Sequence, residues 1–247
     1  MKKIILACVA TILSLSFVNA QEETAEDVIM SENMEEEQAP EPRSILLGVT
    51  AGVNMTTYSG DVEAKMGLGG QVGINCDIPI GQYLSIMPEL IFAYKTVKID
   101  DLFEAGDALI SMESTDKLLY MNVPIHLKGS ISTEAGRPFI AVGPMINVGL
   151  YGVNKMGDYK MLLFQSDPDS DIEEIREDAL YNVLDFSVNL KAGFDFDFGL
   201  SISAAFQLGL TNMYKMTDER KLIYKELGMK TPSQKSQTIS VSLGYSF

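Results

Sequence analysis

From Ser44 to Phe247 apolar and polar residues alternate with a period of two, and no other feature restricts the fold as much. That is the period of a β-strand with two chemically different faces. In residues 184–198, Leu184, Phe186, Val188, Leu190, Ala192, Phe194, Phe196 and Phe198 share one face, and Asp185, Ser187, Asn189, Lys191, Gly193, Asp195 and Asp197 the other. Met66, Leu68, Gly70, Val72, Ile74, Cys76 and Ile78 oppose Gly67, Gly69, Gln71, Gly73, Asn75 and Asp77. At the end of the chain Ile239, Val241, Leu243, Tyr245 and Phe247 oppose Thr238, Ser240, Ser242, Gly244 and Ser246. Residues 45–54, 83–97, 118–130, 139–151 and 200–213 follow the rule less strictly, giving eight segments. Each supplies the roughly 9–11 residues that a tilted membrane strand needs.

Alternation also suits a soluble sandwich, so three further features place the sheet in lipid. First, the polar face is rich in Gly, Ser and Asn with isolated charges, whereas the apolar face carries Leu, Ile, Val and Phe. A barrel with lipid outside and a polar interior has that balance; the outside of a soluble barrel would carry many Lys and Glu. Second, the connections alternate long and short. Residues 55–65, 98–117, 152–182 and 214–237 are long; 79–82, 131–138 and a hairpin near Phe198-Gly199 are short. Outer-membrane barrels have this rhythm, with long loops outside and tight periplasmic turns. Third, Tyr94, Tyr120, Tyr151 and Tyr214 fall near the long-loop ends, and Tyr83, Phe139, Phe196, Phe198, Tyr245 and Phe247 near the short-turn ends, as two interfacial girdles would. The expectation is an all-β, eight-stranded antiparallel up-and-down transmembrane β-barrel with a polar filled lumen and long extracellular loops. A one-residue slip would turn Asp185, Lys191 and Asp195 into lipid, so the alternation also sets the register.

The remainder of the chain differs in kind. Residues 1–20 read as a signal peptide: Lys2 and Lys3, an apolar run from Ile4 to Val18, and the small-residue end Val18-Asn19-Ala20. That run is the longest apolar stretch in a chain that is 46% hydrophobic, which excludes a helical-bundle membrane protein. Ile5-Leu6-Ala7-Cys8 has the form of a lipoprotein site but leaves almost no apolar stretch before the cysteine. Residues 21–43 read as an acidic disordered periplasmic tail, with nine acidic residues up to Pro42, among them Glu35-Glu36-Glu37. Residues 44–247 form the barrel domain. A formal net charge of −15 argues against nucleic acid. Cys8 leaves with the signal, and Cys76 alone can form no internal disulfide.

The inward positions include Asp77, Glu89, Lys95, Lys128, Asp185, Lys191, Asp195 and Asp197. Eight strands enclose only enough space for side chains or one small ligand, which argues against a diffusion porin. Unpaired burial of those charges is costly, so they are expected to pair across the lumen as an ionic plug. The single histidine, His126, faces inward by parity, near the short-turn end. Gly-x-Ser-x-Gly, His-Glu-x-x-His and Cys/His clusters are absent from the sequence, so no catalytic, cofactor-binding or metal residue is assigned. The glycines of residues 67–73 lack the sixth-position Gly of a nucleotide loop and open no helix. Asp167-Pro168-Asp169-Ser170-Asp171 has the alternating carboxylates of a calcium loop, but Ile172 stands at its glycine position and Asp178 at its closing glutamate. A short helix is expected around residues 172–180 and another over 218–227, capped by Gly228. The basic residues Lys215, Arg220, Lys221, Lys225, Lys230 and Lys235 suit contact with lipopolysaccharide phosphates. Pro88, Pro124 and Pro144 fall inside expected strands, where bulges are the expected accommodation.

Over residues 45–247 the chain resembles the PorT-like outer-membrane β-barrel family of Bacteroidota. The resemblance is carried by Gly48-Val49-Thr50-Ala51-Gly52-Val53-Asn54, Leu84-Ser85-Ile86-Met87-Pro88-Glu89-Leu90 and Tyr120-Met121-Asn122-Val123-Pro124-Ile125-His126-Leu127-Lys128. Gly143-Pro144 and the terminal Leu243-Gly244-Tyr245-Ser246-Phe247 complete it. It implies an outer-membrane location and a final strand, ending at Phe247, that barrel-assembly machinery reads. One branch of the family is associated with the secretion system that exports gingipain-type proteases. The leading expectation is a non-enzymatic barrel without cofactor whose surface loops bind or scaffold. Its expected partners are outer-membrane lipid and lipopolysaccharide. The alternatives are a component of a type IX-like secretion apparatus with a periplasmic protein partner, and an outer-membrane lipid-modifying enzyme.

Overall fold

The computed structural model describes residues 44–60, 64–105, 108–157, 159–166, 179–226 and 231–247. The expected signal and acidic tail lie outside the described residues. The elements are β1 (Leu46–Gly60), β2 (Ala64–Pro79), β3 (Leu84–Ala105), β4 (Ala108–Ser130), β5 (Gly136–Met156), β6 (Tyr159–Leu162), β7 (Leu184–Phe196), β8 (Leu200–Gly209), α1 (Asp218–Glu226) and β9 (Gln234–Ser246). Sheet order is β4-β3-β2-β1-β9-β8-β7-β5, and β5 pairs back onto β4. Every pairing is antiparallel, and β1 against β9 joins the two ends of the meander. The result is a closed eight-stranded barrel, with the short β6 lying beside the far end of β5.

Closure follows from the faces. Leu190 and Val241 are 49% and 51% exposed, whereas Asp185 and Ser242 are 3% and 5% exposed. The barrel is therefore apolar outside and polar inside, and only lipid around it makes that arrangement favourable. Lipid offers the backbone no hydrogen-bond partner, so an open edge would leave a row of unpaired N–H and C=O groups. At the short-turn end Leu47 donates to the Phe247 carbonyl at 3.3 Å and Phe247 returns a bond at 2.8 Å.

Three expectations change. The connections 55–65 and 98–117 are not loops for most of their length: β1 continues to Gly60, and β3 and β4 stay paired as far as Ala105 and Ala108. Beyond lipid neither face needs to be apolar, and ladder bonds alone hold such a ribbon, so the period-two signal fades while the strands continue. Nor do the prolines carry bulges. Pro88 pairs with Ile125, and Pro124 with Met145; the ladders skip pairs beside them, but the register on either side is unchanged. The register shifts lie instead at Met66/Gly70 and Leu119/Tyr120. Finally, Tyr120, Phe139 and Tyr214 are not girdle residues. Tyr120 and Phe139 are buried in the lumen, and Tyr214 packs against interior Tyr181. Tyr94 and Tyr151 form the outer ring; Tyr83, Phe198, Tyr245 and Phe247 stay exposed at the other rim.

Leu190 sits at the middle of β7 on the lipid side. Leu190→Arg should lower stability by about 2–4 kcal/mol, measured by denaturant titration of the barrel in lipid vesicles.

A closed polar lumen as the candidate functional site

The lumen is built from the inward residues of all eight barrel strands, which bring lysines and carboxylates together across it. Lys128 on β4 donates to Asp77 of β2 at 2.6 Å and to Asp195 of β7 at 2.7 Å. Its ammonium also sits 4.6 Å from the centre of the Phe139 ring. Lys191 of β7 donates to both oxygens of Glu89 on β3 at 2.8 Å. His126 places Nε2 2.9 Å from Asn189 Oδ1, and Nδ1 3.0 Å from Glu89 Oε1, off the line of a good hydrogen bond. Pairing repays desolvation of these ions only because each has partners on other strands.

Two of the expected charges behave differently. Lys95 forms no ion pair among the described residues. It donates to Gln207 at 2.8 Å and lies 5.2 Å over the Tyr120 ring. Gln207 passes the chain to Asn147 at 3.3 Å, and Asn147 to Asp185 at 3.2 Å and Ser187 at 2.8 Å; Thr211 also donates to Asp185. Asp197 is exposed at the short-turn rim, because it sits in the turn after β7 rather than inside the barrel.

Toward the long-loop end the lumen is stoppered. Leu163 and Phe164, just past β6, fold back into the mouth with Tyr181, against Leu118, Tyr58 and Met213. Leu163 donates to the Gly152 carbonyl at 2.9 Å, and Tyr181 to the Leu163 carbonyl at 2.8 Å. Phe164 fits because two inward positions carry no side chain: a Cβ on Gly149 or Gly152 would stand 2.6 Å or 2.8 Å from its ring. Tyr120, Phe164, Tyr181 and Tyr214 stack edge to face at 5.4–6.3 Å. At their centre Asp116 accepts hydrogen bonds from Tyr58 at 2.7 Å, Tyr181 at 2.8 Å and Asn154 at 2.7 Å. This knot lies beyond the Tyr94–Tyr151 ring, outside the spanning segments. Burial raises the Asp116 carboxyl above its ordinary range, and the three donors oppose the shift.

Little free space remains. Beside Glu89, His126, Asn189 and Lys191 lies a gap of ≈ 30 Å³, room for about one or two waters. The lumen opens at the short-turn mouth into a vestibule of ≈ 430 Å³ bordered by Asp77, Lys128, Arg137, Phe139, Asp195 and Asp197. Among the described residues no group of three or more His, Cys, Asp or Glu is disposed to hold a metal. The calcium-like run Asp167–Asp171 lies outside the described residues, as do residues 172–178 and Gly228 of the expected helical stretches; α1 ends at Glu226.

The parity of the strands placed His126 and the lysines correctly. It does not reveal the knot, because Tyr58, Asp116 and Asn154 fall in the stretches 55–65, 98–117 and 152–182, which read as connections. Their positions nevertheless continue the inward series: Asn54, Thr56, Tyr58 on β1 and Tyr120, Leu118, Asp116 on β4.

Residues 19–215 match the family model described as outer membrane protein beta-barrel domain. No curated protein matches the sequence. Similar solved structures include Ail, the attachment invasion locus protein of Yersinia pestis, at 11% identity, covering 82% of this chain and 98% of Ail, with a TM-score of 0.39. Neisserial surface protein A is 11% identical over 81% of this chain and 97% of its own, TM-score 0.39. The outer membrane enzyme PagL is 12% identical over 80% and 98%, TM-score 0.39.

Lys191→Met leaves Glu89 buried without its ammonium and should cost about 3–5 kcal/mol in unfolding experiments. Adding Glu89→Gln should restore a large part of that loss. Because the folded pKa of Asp116 is raised, its contribution is full below its ordinary value of 3.8 and declines as pH rises through the folded value. Asp116→Asn removes that decline. The stability of the variant relative to wild type should therefore improve as pH rises above 3.8, read as the difference between their unfolding midpoints.

Proposed function

This chain belongs to the outer membrane protein beta-barrel domain family, and from that premise we propose that it is a non-enzymatic barrel of the PorT-like branch. It binds or scaffolds through the ribbons and loops at its outer end. The observation that carries this reading is the filled lumen. An outer stopper around Phe164 and Tyr181 and an ionic layer around Glu89 and Lys191 occupy the path a solute would need. The chain extends instead into the β3–β4 ribbon, which rises beyond the apolar band to the Ala105–Ala108 pair.

His126 supports the same reading. Its polar neighbours are Glu89 and Asn189, with no hydroxyl or thiol nucleophile at hydrogen-bond distance among the described contacts, and the gap of ≈ 30 Å³ beside it is too small for a lipid or peptide. Assignment to the PorT-like branch rests on the Val123-Pro124-Ile125-His126-Leu127-Lys128 piece. A second reading, a component of a secretion apparatus, is favoured by the vestibule at the periplasmic end, where Arg137, Asp195 and Asp197 are available to a periplasmic protein.

Vesicles carrying the barrel should be impermeable to small sugars in a swelling assay. Removing the ribbon by joining Ile99 to Ser114 should leave a heat-modifiable barrel that no longer complements a deletion strain. Sugar entry, or full complementation by the shortened chain, would refute the proposal.

A further inference from the structure

The outward face of β3, β4, β5 and β6 just beyond the outer tyrosines has a chemistry that the lumen does not explain. The registers set its side chains in rows. The first is Tyr94, Leu119 and Tyr151; the second Thr96, Lys117 and Val153; the third Lys98, Thr115, Lys155 and Lys160. Rows two residues apart along a strand are separated by about 7 Å. The lysines therefore begin one step beyond the aromatic ring, at the depth where lipid headgroups replace hydrocarbon.

The rows enclose a groove of ≈ 390 Å³, bordered by Tyr94, Lys117, Tyr151, Val153, Lys155 and Lys160. No carboxylate of a described residue lines it. The next row out sets Asp100 opposite Glu113, of which Glu113 is exposed, and among the described residues none of the three groove lysines makes an ion pair. Lys155 and Lys160 stand directly opposite each other in the β5–β6 ladder. Like charges in that position destabilise a strand pair, and here they gather in a chain whose formal charge is −15. Val153 faces outward with them, yet is only 7% exposed at the floor of the groove. Cations with no ion-pair partner among the described residues surround an apolar floor, and a lipid-facing aromatic row lies directly beneath.

We propose that this groove binds the phosphate of an anionic lipid of the outer leaflet. Lys117, Lys155 and Lys160 hold the phosphate, and the acyl chains run down the barrel over Tyr94, Leu119 and Tyr151. The bound anion neutralises the Lys155–Lys160 pair and so fastens β6 to β5. This site rests on the membrane position of the barrel, not on what its outer loops bind.

The test uses the full chain in neutral detergent, titrated with diphosphorylated lipid A, the same lipid without its phosphates, or inorganic phosphate, and followed by thermal unfolding and native mass spectrometry. Lipid A should bind and raise the melting temperature. Dephosphorylated lipid should not, and inorganic phosphate at the same concentration should have little effect. Each of Lys117→Gln, Lys155→Gln and Lys160→Gln should weaken lipid A binding about fivefold. Lys225→Gln with Lys235→Gln, which removes two positive charges elsewhere, should not. Without lipid, Lys155→Gln should melt no lower than wild type because a repulsion is gone. Equal binding of the dephosphorylated lipid, equal protection by inorganic phosphate, undiminished binding by the triple variant, or an equal loss in the Lys225/Lys235 control would each overturn the assignment.

Discussion

Every backbone N–H and C=O that enters hydrocarbon must find its partner within the protein, since an unsatisfied group there costs several kcal/mol. For a sheet this leaves closure, and closure organises the rest of the molecule. β1 pairs with β2 and β9, β5 with β4 and β7, and no spanning strand is left with a bare edge. Once closed, eight strands leave an interior too narrow for bulk water to screen its charges. Glu89, Lys128 and Lys191 can remain there only because strands that are not their ladder neighbours supply each with a counter-charge.

The two ends of the barrel meet different demands. At the short-turn end tight turns close the strands and leave the vestibule open. At the long-loop end the chain has material to spare and uses it twice. Residues after β6 fold inward to cap the lumen with Phe164, and β3 and β4 run outward as a ribbon. The cap depends on absent side chains as much as present ones: Gly149 and Gly152 make the recess that the Phe164 ring fills. The outside of the same region is basic and aromatic, so its inward side seals the barrel while its outward side faces headgroups.

Lipid constrains the wall of such a barrel and leaves loops, rim and lumen free to vary, so the architecture does not set the function. Function has to be argued from those parts. In this chain they are a plugged lumen, a histidine whose polar neighbours among the described residues are Glu89 and Asn189, and an outer ribbon.

The alternation of residues determined the sheet, the lipid-facing side and the register, because lipid tests each outward residue separately and a misplaced charge such as Lys191 is penalised locally. His126 and the lumen lysines were legible for the same reason. Which charge met which was not: Lys128 with Asp77 and Asp195, or Lys95 with Gln207 rather than a carboxylate, depends on how the closed sheet staggers one wall against the other. The stopper was hidden as well, since Phe164 and Tyr181 come from segments without periodicity and gain their places only by folding back. Tertiary structure also decided the basic groove, because Lys117 lies far along the chain from the hairpin that carries Lys155 and Lys160, and the three share a face only through the β4–β5 and β5–β6 ladders. A local pattern can encode the wall, but contacts across the lumen and between neighbouring strands exist only once the barrel has closed.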